Sequence, residues 1–119
     1  MAWEESEVTT PLLENILNQP QALRSVLDHQ MTRDAERLVH VAEVLRSKKR
    51  IVLTGMGASY FACIPFQHML AAKAFDVTCV ETAELLYFPT HLISEDDAVV
   101  LCSRSGESIE TVKLLDRFA

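Results

Sequence analysis

The stretch IVLTGMGASY, residues 51–60, runs from the apolar Ile51-Val52-Leu53 through a loop bounded by Gly55 and Gly57 into residues of helical pattern. A short apolar run without polar alternation marks a strand buried on both faces, as in a parallel sheet. Residues 58–74 then read as a helix with Phe61, Ile64, Met69, Leu70 and Ala74 among its apolar members. Pro65 is expected to kink that helix or delay its start. Downstream, Val77-Thr78-Cys79-Val80 reads as a second strand and Glu84-Leu85-Leu86-Tyr87 as a short helix. Ala98 to Cys102 makes a third strand, and a last helix starts near Glu107. This alternation predicts an α/β fold, a doubly wound parallel sheet.

Upstream of residue 50 the pattern is helical. Pro11 opens a short helix through Leu12, Leu13, Ile16 and Leu17, which Asn18-Gln19-Pro20 is expected to break. Leu23, Val26, Leu27, Met31, Ala35, Leu38, Ala42 and Leu45 then recur at three- and four-residue steps, predicting one long helix over 21–47. Arg46, Lys48, Lys49 and Arg50 suit the negative pole at its end. The chain thus divides into an N-terminal helical segment, 1–47, and the front part of a sheet domain, 48–119. Three strands make a thin sheet whose third strand offers an apolar edge. That edge and the amphipathic helix both predict cover from more chain or from a second copy, a homo-oligomer such as a dimer.

The 119 residues carry a net charge of −6, which argues against nucleic acid and anionic membrane surfaces as partners. No stretch has the apolar length to cross a bilayer, and Met1-Ala2-Trp3-Glu4-Glu5 lacks the basic start of a signal peptide, so a cytoplasmic location is expected. Cys63, Cys79 and Cys102 are spread out, and small apolar reduced thiols are the favoured reading over a metal or redox site. His29, His40, His68 and His91 do not cluster, so no metal is expected; His91, in a loop, is the least settled of them.

In such sheets ligands sit beyond the carboxyl ends of the strands, where strand order reverses. With order 2-1-3, two loops lie side by side there: Gly55-Met56-Gly57-Ala58-Ser59-Tyr60 and Ser103-Arg104-Ser105-Gly106-Glu107-Ser108. Both lead into helix N-termini, whose free amides and positive dipole end favour an anion, above all phosphate. Gly106 permits close approach, and Ser103, Ser105 and Ser108 offer hydroxyls. One serine alone would be read as a helix cap; three around a glycine, opposite a second Gly/Ser loop, point to a ligand. Glu84 either reaches the crevice or merely favours the start of its short helix.

Other chemistries fit less well. The P-loop pattern G-x-x-x-x-G-K-S/T is absent, and neither loop has glycines on both sides of a serine as a hydrolase elbow requires. A dinucleotide domain is the competitor: Gly55-Met56-Gly57 follows a strand, and Glu81 ends the next one, where a ribose-binding acid would stand. Yet Tyr60 occupies the third glycine position.

NQPQALRSVL (18–27), GMGASY (55–60), ETAEL (81–85) and SRSGES (103–108) together resemble the sugar isomerase (SIS) domain family. Within it they are most similar to the isomerase half of glucosamine-6-phosphate synthases and to stand-alone sugar-phosphate deaminases and isomerases. The resemblance covers about residues 15–119, and the S-x-S-G-E-S/T loop after a strand is its most specific part. It implies a flavodoxin-like fold, incomplete in this chain, that binds a sugar phosphate of the fructose 6-phosphate or glucosamine 6-phosphate type without a cofactor. By that likeness Ser103, Arg104, Ser105 and Ser108 hold the phosphate, and Gly57 and Ser59 contact phosphate or sugar across the crevice. Ala58 stands where a hydroxyl residue is frequent in the family. The family chemistry is aldose–ketose isomerisation, sometimes with amino transfer or deamination. Its acid and base come from a second repeat and a C-terminal tail, so no catalytic residue is assigned within these residues. A non-catalytic sugar-phosphate sensor attached to a transcription regulator is the alternative. Its mark would be a helix-turn-helix, whereas 21–47 reads as one unbroken helix.

Overall fold

A computed structural model of the chain describes residues 10–88 and 93–118, and the reading of His91 lies outside them. The chain divides into two compact units between Val41 and Ala42.

In the first unit, α1 spans Pro11–Thr32. Thr10 caps it in extended conformation, its Oγ1 accepting the Leu13 N–H at 3.2 Å, and Pro11 fills the first turn, where no amide donor is needed. The expected break at Pro20 does not occur. Proline forfeits a single backbone donor, toward the Ile16 carbonyl, and the turns on either side continue the helix.

The chain breaks instead after Thr32, and α2 runs from Ala35–Ser47. The reason is Asp34. The His29 carbonyl accepts both Arg33 N–H (2.9 Å) and Asp34 N–H (3.3 Å), closing α1, while the Asp34 carbonyl accepts Leu38 N–H (3.0 Å) to open α2. The Asp34 carboxylate pairs with His29 at 3.1 Å and Arg37 at 3.7 Å. The predicted single helix over 21–47 is therefore two helices with a short turn. An unbroken helix no longer counts against a regulator; the acidic charge still does.

The second unit contains β1 (Arg50–Gly55), α3 (Ala58–Ala71), β2 (Val77–Glu81), α4 (Thr82–Tyr87), β3 (Asp97–Cys102) and α5 (Ile109–Phe118). The strands are parallel in the order β2-β1-β3, with Ile51 opposite Val77 and Ala98, and Gly55 opposite Glu81 and Cys102. β1 is central, which explains its continuous apolar run: alternate side chains enter two cores. Ile51 and Leu53 pack with Cys63 of α3, against Leu45, Leu70, Phe75, Val77, Cys79, Val100 and Cys102. Val52 packs with Val80, Leu85 and Leu114, beneath Leu86, Ile93, Val99 and Leu101. Pro65 neither delays α3, which begins at Ala58, nor ends it.

At the opposite end of the sheet from the two loops, the basic run is largely a strand-pairing device. Only Arg46 lies in the last turn of α2. Lys48 Nζ donates to the Glu95 carbonyl at 2.7 Å, Lys49 N–H donates to the Asp96 carbonyl at 2.8 Å, and Lys49 also pairs with the Asp96 carboxylate. Arg50 grips Asp97 with two parallel bonds, Nε to Oδ1 at 3.0 Å and Nη2 to Oδ2 at 2.7 Å. A run of cations against a run of anions sets the β1–β3 register, and the forked guanidinium–carboxylate pair is its most directional part.

The Asp97 side chain is only 5 % exposed. The Arg50 guanidinium, with the Ser94 backbone N–H, holds its pKa down to about 2 from an ordinary 3.8. A folded pKa below the unfolded one contributes stability that is full above the unfolded value and is lost as pH falls through the folded one. In acid titrations followed by circular dichroism, the wild-type chain should lose stability between about pH 4 and pH 2. Asp97→Asn should be less stable at neutral pH and flatter across that window. Parallel curves for the two proteins would show that the pair is not linked to folding.

Candidate functional site

Gly55 and Cys102 are paired residues at the carboxyl ends of β1 and β3, so the loops that follow leave the sheet as neighbours. Gly55 is buried and makes that junction possible. A Cβ there would lie 2.8 Å from Ser59 C and Tyr60 N and 3.0 Å from the Cys102 carbonyl oxygen. The first turn of α3 thus rests directly on the end of β1. Gly57, at φ 52° and ψ −121°, turns the chain into α3, and its carbonyl accepts Phe61 N–H at 3.1 Å. Few residues other than glycine adopt that conformation. Ala58 is the exposed first residue of α3, and half-buried Ser59 donates its N–H to the Met56 carbonyl at 3.1 Å.

The second loop holds itself in shape. Ser103 Oγ accepts Gly106 N–H at 2.9 Å, and Ser105 Oγ accepts Glu107 N–H at 3.2 Å. Gly106 sits at φ 73°, in the left-handed region. The Ser108 carbonyl accepts Val112 N–H at 3.0 Å, which makes Ser108 the entry to α5, while its hydroxyl donates to Thr111 Oγ1 at 2.5 Å. Ser103, Arg104, Ser105, Gly106 and Glu107 are all exposed. Because the Ser103 and Ser105 oxygens already accept amide protons, each keeps its own hydroxyl proton to donate outward. Hydroxyl protons beside a helix N-terminus and an arginine suit an anion with several acceptor oxygens.

Of the residues singled out from sequence, the structure brings Gly57, Ala58 and Ser59 to one junction and Ser103, Arg104, Ser105, Gly106 and Ser108 to the next. Glu84 lies exposed on α4, beyond β2, and makes no hydrogen bond to either loop. Glu81 does end β2 beside Gly55. However, a dinucleotide domain places its first three strands in the order 3-2-1, and the observed β2-β1-β3 differs from it. Among the described residues no group of histidine, cysteine and acidic side chains is arranged to hold a metal.

Beneath the loops the structure reveals hydroxyls that the pattern did not single out. Thr54 and Thr82, each 0 % exposed, share a 3.0 Å hydrogen bond between the ends of β1 and β2, and Thr111 is also buried. A threonine ending an otherwise apolar strand was the available signal. The three cysteines are free and lie in one core layer. Burial, with the neighbouring Cys102 and Cys79 thiols, pushes the Cys63 pKa up to about 12. Its Sγ donates to the Ser59 carbonyl at 3.3 Å. Cys63 is therefore a protonated packing group at neutral pH, without nucleophilic character.

Residues 44–119 match the family model of the SIS domain. Over 106 residues the chain is 30% identical to a glutamine–fructose-6-phosphate aminotransferase (isomerizing) of Thermotoga maritima, covering 86% of this chain and 17% of that protein. The proteins of the same name from Pyrococcus horikoshii and Chlorobaculum tepidum are 28% and 27% identical over 85% and 87% of the chain. The chain covers 16% and 18% of those two relatives, so it spans only about a sixth of the length of the proteins it resembles. No solved structure matches the chain. Among the described residues no helix is long and apolar enough to cross a membrane.

Proposed function

The chain belongs to the SIS domain family, and from that premise we propose that it forms the phosphosugar-binding part of an enzyme acting on fructose 6-phosphate or a related amino-sugar phosphate. The phosphate sits at the N-terminus of α5, held by the hydroxyls of Ser103, Ser105 and Ser108 with Arg104 beside them. Gly57 and Ser59 face phosphate or sugar from the neighbouring junction, and the Ala58 methyl replaces one hydroxyl contact. The observation that carries this reading is the loop's internal bonding. Ser103 and Ser105 accept the amides of Gly106 and Glu107, which places both oxygens and leaves each hydroxyl proton available to a bound anion. Oxygens already in place reduce the ordering that binding requires.

The names of the relatives support fructose 6-phosphate as the first substrate to try, in aldose–ketose isomerisation with or without transfer of an amino group. Such chemistry needs a base at the C2 proton and an acid at the ring oxygen. None of the groups in the two loops is assigned either role. Self-association belongs to the same reading: α3 is apolar around its circumference, and Phe61 and Met69 are 66% and 62% exposed.

Isothermal titration tests the reading. Fructose 6-phosphate and inorganic phosphate should bind saturably, and fructose should bind far more weakly because it lacks the anion. Equal affinity for fructose and fructose 6-phosphate would remove the phosphate cradle.

A further inference from the structure

The three serine hydroxyls of the loop are not equivalent. Those of Ser103 and Ser105 accept backbone N–H groups and keep their protons. Ser108 directs its only proton inward, to Thr111 Oγ1 at 2.5 Å. A phosphate oxygen accepts hydrogen bonds and donates none when ionised. If Ser108 turns its proton toward such an oxygen, its own oxygen remains 2.5 Å from that of Thr111. Two hydroxyl oxygens at that separation require a proton between them. Thr111 has one to give, since a hydroxyl is both donor and acceptor. At 2 % exposure, its hydroxyl has little access to water that would take over the part.

Resting on the phosphosugar reading above, we infer that Thr111 is a positioning residue. Its hydroxyl accepts from Ser108 in the free protein and donates to Ser108 when Ser108 donates to a bound phosphate. The pair works as a reversible relay: the inner contact is kept in both states, and only the direction of donation changes. The Ser108 rotamer is thereby fixed before the ligand arrives, so no side-chain freedom is lost on binding. Thr111 itself touches no ligand, and its effect on affinity passes through Ser108.

A double-mutant cycle in the full-length protein tests this, with fructose 6-phosphate and inorganic phosphate as titrants. Thr111→Val removes the proton and nearly preserves shape, and should weaken both ligands roughly tenfold or more. Thr111→Ser keeps the hydroxyl and should bind like the wild type. In a Ser108→Ala background, Thr111→Val should add less than about twofold, because the group through which it acts is gone. A residue that merely packs would weaken binding by the same factor in both backgrounds, and that result overturns the relay. Wild-type affinity in Thr111→Val overturns it as well. Should valine not be accommodated, Thr111→Ala carries the same expectations. Loss of binding in the wild-type protein would instead refute the phosphosugar reading, and the relay with it.

Discussion

Gly55→Ala is expected to destabilise the second unit by roughly 3 kcal/mol, the upper part of the range for overpacked sites. For a domain of this size that corresponds to a fall in Tm of more than about 10 °C. The added methyl would stand 2.8 Å from backbone atoms of Ser59 and Tyr60, with the Cys102 carbonyl at 3.0 Å. None of these is a flexible side-chain end, so α3 must lift from β1 or the β1–β3 pair must spread. Either movement displaces both candidate junctions, and phosphosugar binding should be lost along with stability. Gly57→Ala is the instructive contrast. Its Cβ would meet nothing within 4 Å, and its cost comes from backbone strain at φ 52°, ψ −121° alone. It should therefore cost no more than Gly55→Ala, roughly 1–3 kcal/mol, and act on the loop more than on the core. Thermal unfolding followed by circular dichroism checks the order of the two variants. A Gly55→Ala protein that melts with the wild type would mean that the close approach of α3 to β1 is not needed.

How far the fold was legible follows from which interactions are local. The β-α-β alternation came through because the apolar run Ile51-Val52-Leu53 fills two cores at once, a demand that marks every residue of a central strand. The order β2-β1-β3 followed from the general habit of such sheets. Before residue 50 the start at Pro11 and the end at Ser47 agree with the sequence pattern, and the position of the break between the helices does not. Proline suggests a break at Pro20 and a kink or late start at Pro65, although Pro20 sits inside α1 and α3 already begins at Ala58. The real break depends on Asp34, whose carbonyl, carboxylate and neighbours His29 and Arg37 form a cap too compact to disturb the three- and four-residue apolar spacing. The run Lys48-Lys49-Arg50 looked like the end of a helix, because its partners Glu95, Asp96 and Asp97 lie far along the chain.

The candidate site was legible where chemistry sits in loops and hidden where it is buried. Ser103, Ser105 and Ser108 stood out because three hydroxyls around a glycine exceed what a helix cap needs. The support under them did not. Thr54 reads as one polar residue ending an apolar run, Thr82 and Thr111 as ordinary helix residues beside Glu81 and Glu110, and only the fold pairs Thr54 with Thr82 and Thr111 with Ser108. The hydrogen-bond polarity of the loop was equally out of reach. A serine in a sequence shows that a hydroxyl is present, while the amide it accepts decides whether its proton is free.

That polarity determines the second large effect. Ser103→Ala combined with Ser105→Ala should weaken fructose 6-phosphate binding by roughly 100-fold or more. Each hydroxyl proton offered to a charged oxygen contributes about 1.5–3 kcal/mol. The substitutions also release the amides of Gly106 and Glu107, which now bond to the lost oxygens. Freed amides can turn toward the anion and offset part of the loss, so the expected effect is smaller than the sum of two hydrogen bonds. Stability should change little, since both side chains are exposed and the amides they accept lie within the loop. Ser103→Thr and Ser105→Thr keep the hydroxyls and should retain most of the affinity wherever the extra methyl points to solvent. The decisive comparison is calorimetric: fructose 6-phosphate against the double variant, with unfolding measured on the same samples. A variant that folds normally and binds within a few-fold of the wild type would show that backbone amides and the α5 terminus hold the phosphate without the serines. A large loss at unchanged stability would assign the grip to the two hydroxyl protons that the loop leaves free.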